Sequence, residues 1–109
     1  MPTFEEFMAL DIRVGTVLSA RTHPTARKPA LQLEIDFGPA GTRRSSAQLT
    51  KRYDAAALVG RQVVAVLGFP PRRVGDFVSE VLVLGAMLPE SDVVLLAIDA
   101  PVPNGTPVA

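Results

Sequence analysis

The sequence contains few residues of the types that catalyse reactions. His23 is the single histidine and precedes Pro24, Ser45–Ser46 lacks a Gly-x-Ser-x-Gly context, and Glu34 and Asp36 share one face of a predicted strand. A metal or catalytic site needs several such groups held together, and no cysteine is present to provide a thiol, a disulfide or a zinc ligand. We therefore predict a non-enzymatic protein without metal or cofactor, in which His23 is structural or solvent-exposed.

Residues suited to binding are denser. A polar run ends the third predicted strand, and a basic and aromatic segment follows the fourth. The candidate ligand-binding residues are Ser45, Ser46, Gln48, Lys51, Arg52, Phe69, Pro70, Arg72, Arg73, Phe77 and Ser79. An exposed ring could stack on a nucleic-acid base, worth about 1–3 kcal/mol for each base. The alternative for Phe69, Phe77 and Tyr53 is that they fill the interior.

Charge is distributed unevenly along a chain whose formal net charge is zero. Residues 43–73 contain seven Lys or Arg and one Asp, whereas residues 74–109 contain five acids and no basic residue. A basic middle segment is typical of a protein that meets an anionic partner. The alternative is that the basic and acidic segments pair within the fold or across a dimer.

Length and composition predict one globular domain over residues 1–109, since the chain is 48% hydrophobic and 20% charged. The start, Met1–Glu6, is acidic and lacks a signal-peptide pattern. Apolar runs such as Val93–Ile98 are far shorter than the roughly 18 residues that indicate a membrane span. We expect a soluble cytoplasmic protein without membrane insertion.

Period-two alternation predicts the strands that must position the binding residues. The predicted strands are 12–21, 31–37, 43–50, 63–67, 78–85 and 93–98. The even-numbered residues of 12–21 are expected to share one face. The double proline predicts a loop over 69–73, and Asn104–Gly105 predicts a tight turn within an extended tail over 99–109.

Two short helices complete the prediction. Thr3 and Glu6 have capping-box spacing for a helix over 3–9, and Asp54 and Gly60 suit the two ends of another. Three strands, a helix and two strands predict an all-β protein: a five-stranded Greek-key OB-fold barrel with N- and C-terminal extensions. An SH3-like barrel is the competitor, although it usually lacks that helix. The candidate binding residues fall where OB-folds bind ligands, on strands two and three and in the loop between strands four and five.

Several stretches together resemble the tRNA-binding-domain family. The residues from Leu10 to Val17 resemble its start, and the fuller resemblance is to its small stand-alone branch, the CsaA protein-export chaperones. The other matching stretches are 26–30, 33–38, 45–53, 69–74, 79–85 and 103–106. The similarity covers nearly the whole chain, and the combined motifs are specific where each alone would be weak.

This resemblance implies an OB-fold homodimer, with the terminal extensions in its interface, that binds unfolded precursor polypeptides or the export machinery as a secretion chaperone. Relatives appended to aminoacyl-tRNA synthetases bind tRNA, so a tRNA or single-stranded nucleic-acid-binding module is the alternative. A third hypothesis is an interaction module whose basic segment docks an acidic partner or its own acidic C-terminal third.

The chain departs from the family pattern at two positions. Gly68 stands where the family has Asn before the Phe-Pro-Pro stretch, so a side-chain hydrogen bond from that position is absent. Arg44 stands where the family tends to have Gln before the serine pair. The extra charge beside the candidate site favours an anionic ligand.

Overall fold

A computed structural model describes residues 1–23 and 28–109 of the chain. Its elements are α1 (Phe4–Ala9), β1 (Ile12–Thr22), β2 (Leu31–Asp36), β3 (Thr42–Ala47), α2 (Ala55–Leu58), β4 (Gln62–Val66), β5 (Arg72–Val74), β6 (Phe77–Ser79), β7 (Leu82–Val83), β8 (Gly85–Leu88) and β9 (Asp92–Leu95). Short 3-10 turns lie at Gly38–Ala40 and Pro89–Ser91. Residues 24–27, which belong to the predicted basic loop and to one family motif, lie outside the described residues.

Five strands form one antiparallel sheet in the order β3-β2-β1-β4-β7, which curls into a nearly closed barrel. The predicted OB-fold class is therefore confirmed. Strand β1 is long enough to serve two partners, since residues 12–16 pair with β4 and residues 16–22 pair with β2. The β5–β6 and β8–β9 hairpins are separate additions to this barrel.

The barrel core contains the alternating apolar residues of β2 and its end, as the period-two pattern predicted. Leu31, Leu33, Ile35 and Phe37 are each 3% exposed or less, and they pack with the buried face of β4 and with Leu58 of α2. Burying one such side chain is worth roughly 1.5–3 kcal/mol. These contacts fix the barrel on which the candidate site is built.

Strand β1 departs from the predicted alternation because its register shifts between Val17 and Ser19. A bulge of this kind adds one residue to a strand and exchanges the faces that follow it. Before the shift the odd-numbered Val17 pairs with Ile35 and is 1% exposed, whereas beyond it the even-numbered Ala20 pairs with Leu33 and packs against the core. The expectation that even-numbered residues share one face holds as far as the bulge and is wrong beyond it.

The predicted fifth strand over 78–85 is interrupted, because its residues are divided among β6, β7 and the start of β8. The predicted loop over 69–73 is also too long, since Arg72 begins β5. β5 and β6 form a hairpin whose two-residue turn is Gly75-Asp76, with Gly75 at φ 64°. Glycine at the first turn position suits such a hairpin, because it adopts positive φ at little cost.

The two short helices occur where they were predicted, with one difference in capping. Thr3 accepts a hydrogen bond from the Glu6 amide, and the Glu6 side chain accepts one from the Thr3 amide, which completes the capping box of α1. Asp54 precedes α2, but its side chain makes no capping hydrogen bond. Gly60 follows α2 at φ 89°, as its predicted left-handed position requires.

The C-terminal tail makes the tight turn that Asn104–Gly105 predicted and then covers the free edge of β1. Gly105 N donates to Val14 O at 2.7 Å, Val14 N donates to Thr106 O at 3.0 Å, and Val108 N donates to Ile12 O at 2.8 Å. The tail thereby satisfies backbone groups of β1 next to the part that pairs with β2.

The two regular helices are short. Within residues 1–23 and 28–109, no helix has the length and apolar character needed to cross a membrane.

Candidate ligand-binding groove

A groove of about 370 Å³ lies between the β5–β6 hairpin and the barrel wall. Its lining residues are Ser46, Phe69, Pro70, Arg72, Val74, Ser79, Glu80, Val81 and Leu82. Five of these, Ser46, Phe69, Pro70, Arg72 and Ser79, are among the predicted binding residues. Concave sites of this size with apolar walls and a few polar groups are typical of ligand pockets.

The β5–β6 hairpin sets which side chains enter the groove. Directly paired residues of an antiparallel hairpin share a face, and faces alternate along each strand. Arg72 pairs with Ser79 and both line the groove, whereas Arg73 pairs with Val78 on the opposite face. Sequence reasoning grouped the two arginines because it treated 69–73 as a loop, where alternation does not apply.

Side chains join the hairpin to the open edge of β3. Ser46 N donates to Ser79 Oγ at 3.0 Å, and Arg44 N donates to Glu80 Oε1 at 3.0 Å. Glu80 N donates in turn to Arg44 O at 2.8 Å. The floor of the groove is therefore held by hydrogen bonds that complete the barrel between β3 and the segment after β6.

Phe77 and Ser45 lie inside the protein, contrary to the prediction that they contact a ligand directly. Phe77 is 7% exposed. The centroid of its ring lies 5.4 Å from the centroid of the His23 ring and 5.2 Å from the guanidinium carbon of Arg44. Ser45 is 1% exposed and donates to Val81 O at 2.9 Å. Phe77 therefore holds the hairpin against the barrel. This agrees with the alternative expectation that its ring fills the interior.

His23 is buried, which agrees with a structural role. Its Nδ1 lies 3.0 Å from Ser46 Oγ, and no hydrogen-bond partner of its buried Nε2 is found in the structure as described. Across residues 1–23 and 28–109, no three His, Cys, Asp or Glu side chains lie close enough to hold a metal ion.

Lys51, Arg52 and Gln48 lie away from the groove. Lys51 and Gln48 line a separate hollow that Glu90 and Ser91 close from the other side. Lys51 Nζ lies 3.4 Å from Glu90 Oε2, and Arg52 makes two hydrogen bonds to the Asp92 carboxylate, at 3.0 and 2.8 Å.

These ion pairs hold the β8–β9 hairpin against the end of β3. The hydrogen bond from Arg52 lowers the pKa of Asp92 below its usual value. The Lys51–Glu90 and Arg52–Asp92 pairs therefore join the basic middle segment to the acidic C-terminal segment within the fold. This is the alternative to an anionic partner that the charge distribution left open.

Four groove residues were not among the binding residues predicted from the sequence: Val74, Glu80, Val81 and Leu82. The signal that could have located them is the Gly75-Asp76 pair, which with apolar residues on both sides is typical of a two-residue hairpin. Placing that turn would have put Val74 and Arg72 on one face and Arg73 on the other.

The two departures from the family pattern have visible consequences. A Cβ at position 68 would lie against the Ala9 carbonyl oxygen and 2.7 Å from Leu10 O, so no side chain fits while α1 holds this position. Arg44 covers Phe77 and lies 3.8 Å from Glu80 Oε1. Its charge is thus partly compensated by a neighbouring carboxylate.

A family model described as a putative tRNA binding domain matches residues 12–107, which includes the whole barrel and the groove. The chain belongs to the tRNA-binding-domain family. Among curated relatives, a methionine–tRNA ligase of Porphyromonas gingivalis is 42% identical over 76% of this chain and 12% of that protein. A methionine–tRNA ligase of Methanothrix thermoacetophila is 40% identical over 94% of this chain and 15% of that protein. The chain thus spans less than a sixth of the length of these relatives.

This tRNA-binding-domain protein is similar in structure to solved proteins that it matches over nearly their full length. The chaperone CsaA of Bacillus anthracis is 53% identical, with a TM-score of 0.94 over 100% of this chain and 99% of the other. A CsaA chaperone protein of Picrophilus torridus is 39% identical, with a TM-score of 0.90 over the full length of both chains. The resemblance to the CsaA branch is therefore confirmed.

Proposed function

We propose that this chain is a cytoplasmic, homodimeric, non-enzymatic binding protein that acts as an export-related chaperone for unfolded precursor polypeptides. The observation that carries the proposal is the groove, whose walls are mainly apolar and open to solvent. Phe69 is 45% exposed at the groove and Leu82 is 49% exposed. Exposed apolar surface bordered by polar groups is typical of protein-interaction sites. The likeness to CsaA chaperones supports the same function.

Exposed apolar residues outside the groove support the dimer. Phe4 and Met8 of α1 are 73% and 47% exposed, and Met87 and Leu88 of β8 are 79% and 45% exposed. These residues lie outside the five-stranded sheet of the barrel, and the family resemblance leads us to expect a dimer interface formed by the terminal extensions. A second copy of the chain would remove such surface from water.

Calorimetric titration tests the chaperone function. An unfolded precursor is expected to bind, with a negative heat-capacity change from apolar burial, while the same precursor in its folded form gives no heat of binding. Sedimentation of the protein without precursor is expected to show a particle of twice 11.6 kDa. Equal binding of both forms, or of neither, would remove the proposal.

RNA binding is the second candidate function, and the observation that favours it is a set of exposed cations that form no ion pair with the described residues. Among the described residues, Lys28, Arg72 and Arg73 are exposed and no ion pair involves them. Cations of this kind contact phosphates, and the family description and the ligase relatives point in the same direction.

Salt dependence separates this candidate from the first. If about four ion pairs form with a single strand, the slope of log K against log salt is expected near −3. Arg73→Ala is the informative variant, because Arg73 lies on the far side of the hairpin from the groove. It is expected to weaken RNA binding and to leave binding of an apolar peptide unchanged. An RNA affinity independent of salt would contradict the second candidate.

A further inference from the structure

The groove contains one side-chain charge, that of Arg72, for which the described residues provide no ion-pair partner. Arg72 is exposed and lines the groove, and across residues 1–23 and 28–109 it makes no ion pair and no hydrogen bond through its side chain. Unlike Arg72, Lys51 and Arg52 pair with acidic residues of the β8–β9 segment.

The other charged residue of the groove is already occupied. Glu80 Oε1 accepts a hydrogen bond from the Arg44 amide at 3.0 Å, and the Arg44 Nε lies 3.8 Å from the same oxygen. Through Oε1, Glu80 thus helps to close the barrel against β3, and Arg44 partly offsets its charge toward a positively charged ligand. The groove therefore combines apolar walls with the cation of Arg72, beside a carboxylate whose charge is partly offset by Arg44.

We propose that the groove selects unfolded segments in which an acidic residue stands among apolar ones, with the carboxylate received by Arg72. This inference rests on the proposed peptide-binding function. The planar guanidinium of arginine holds a carboxylate through two parallel hydrogen bonds, which fixes direction as well as charge. The apolar neighbours of the acid would then lie on Phe69, Val74 and Leu82.

Apolar walls favour a peptide over RNA at this position. A phosphate backbone carries one charge per nucleotide and gains from several cations along its path. The groove lining supplies Arg72 as its basic residue, beside the carboxylate of Glu80 and seven apolar or serine side chains. A single carboxylate on an otherwise apolar segment matches that lining.

The test uses the full chain and capped, fluorescently labelled heptapeptides of Leu, Val and Ala with a central Asp, Asn or Lys. Fluorescence anisotropy at low salt is expected to show about fivefold tighter binding of the Asp peptide than of the Asn peptide. The Lys peptide is expected to bind weakest. Arg72→Gln should remove the difference between Asp and Asn, while Arg73→Gln, the matched control on the opposite hairpin face, should keep it.

The outcomes separate this inference from the function on which it rests. Equal affinity for the Asp and Asn peptides, or loss of the difference in Arg73→Gln, overturns the selectivity but leaves peptide binding in place. Failure of all three peptides to bind overturns both. Tighter binding of an oligouridylate than of the Asp peptide, lost in Arg72→Gln, would assign Arg72 to RNA phosphates and overturn the proposal. Thermal midpoints of both arginine variants check that each is folded.

Discussion

Replacing Gly105 by alanine is expected to lower the free energy of unfolding by about 3 kcal/mol or more. Gly105 has φ 89°, a conformation that costs an L-residue about 1–2 kcal/mol. In addition, the new Cβ would lie against the Phe37 carbonyl oxygen and 3.2 Å from Pro39 Cδ. Both neighbours belong to the turn after β2, which cannot move without disturbing the buried Phe37.

Gly60→Ala is the matched control for this substitution. Gly60 has the same φ of 89°, but a Cβ added there meets no atom of the described residues within 4 Å. It is therefore expected to cost only the conformational part, about 1–2 kcal/mol. Urea denaturation of the wild type and both variants measures the difference, with unchanged m-values showing that the compactness of the unfolded state is the same. Equal losses at the two glycines would show that the tail is not packed against the β2 turn.

The position of Gly105 matters because Asn104 beside it connects three parts of the barrel. Its Oδ1 accepts from Thr16 Oγ1 at 2.6 Å and from Gln62 Nε2 at 3.1 Å, and its Nδ2 donates to Asp36 Oδ2 at 3.3 Å. A misplaced turn would leave several of these half-buried polar groups without partners, which adds to the cost. The tail is thus part of the folded barrel and not an appendage.

The sequence was sufficient for the features that depend on local patterns. The alternation in 31–37 placed the core strand, the spacing of Thr3 and Glu6 placed α1, and Asn104–Gly105 placed the turn of the tail. In each case the residues that determine the structure lie within a few positions of one another. The same holds for the family resemblance, which depends on short contiguous stretches.

Features that depend on partners distant in the sequence were not predictable in the same way. Arg52 forms hydrogen bonds with Asp92, which is 40 positions away in the sequence. The basic run that contains Arg52 therefore could not show that its side chain points away from the groove. Phe77 is buried because β6 packs against β3. The hydrogen bond between these strands joins Ser46 and Ser79, which are 33 positions apart in the sequence. The bulge at Val17 likewise reflects how β1 divides between two neighbouring strands. Composition identified the right residue types, and long-range pairing decided which of them line the groove.

The two phenylalanines near the double proline are expected to separate stability from binding. Phe77→Ala should destabilise the protein by about 3 kcal/mol, because the lost ring lies between His23 and Arg44 and holds the hairpin. Phe69→Ala should change stability by only about 1 kcal/mol, since the residue is 45% exposed. Its effect should instead be about a tenfold loss of affinity for an unfolded precursor, as expected for an aromatic contact in the groove.

Measuring both quantities on both variants makes the contrast decisive. Urea denaturation gives the stability, and calorimetric titration at a temperature where both variants are folded gives the affinity. Phe69→Leu keeps an apolar side chain at the groove and should restore most of the affinity, which distinguishes lost contact area from a distorted loop. If Phe69→Ala binds the precursor as tightly as the wild type, the exposed ring is not part of a peptide site, and the groove loses its main apolar contact. A small stability loss for Phe77→Ala would show that the hairpin is held by the hydrogen bonds of Ser79 and Glu80 instead.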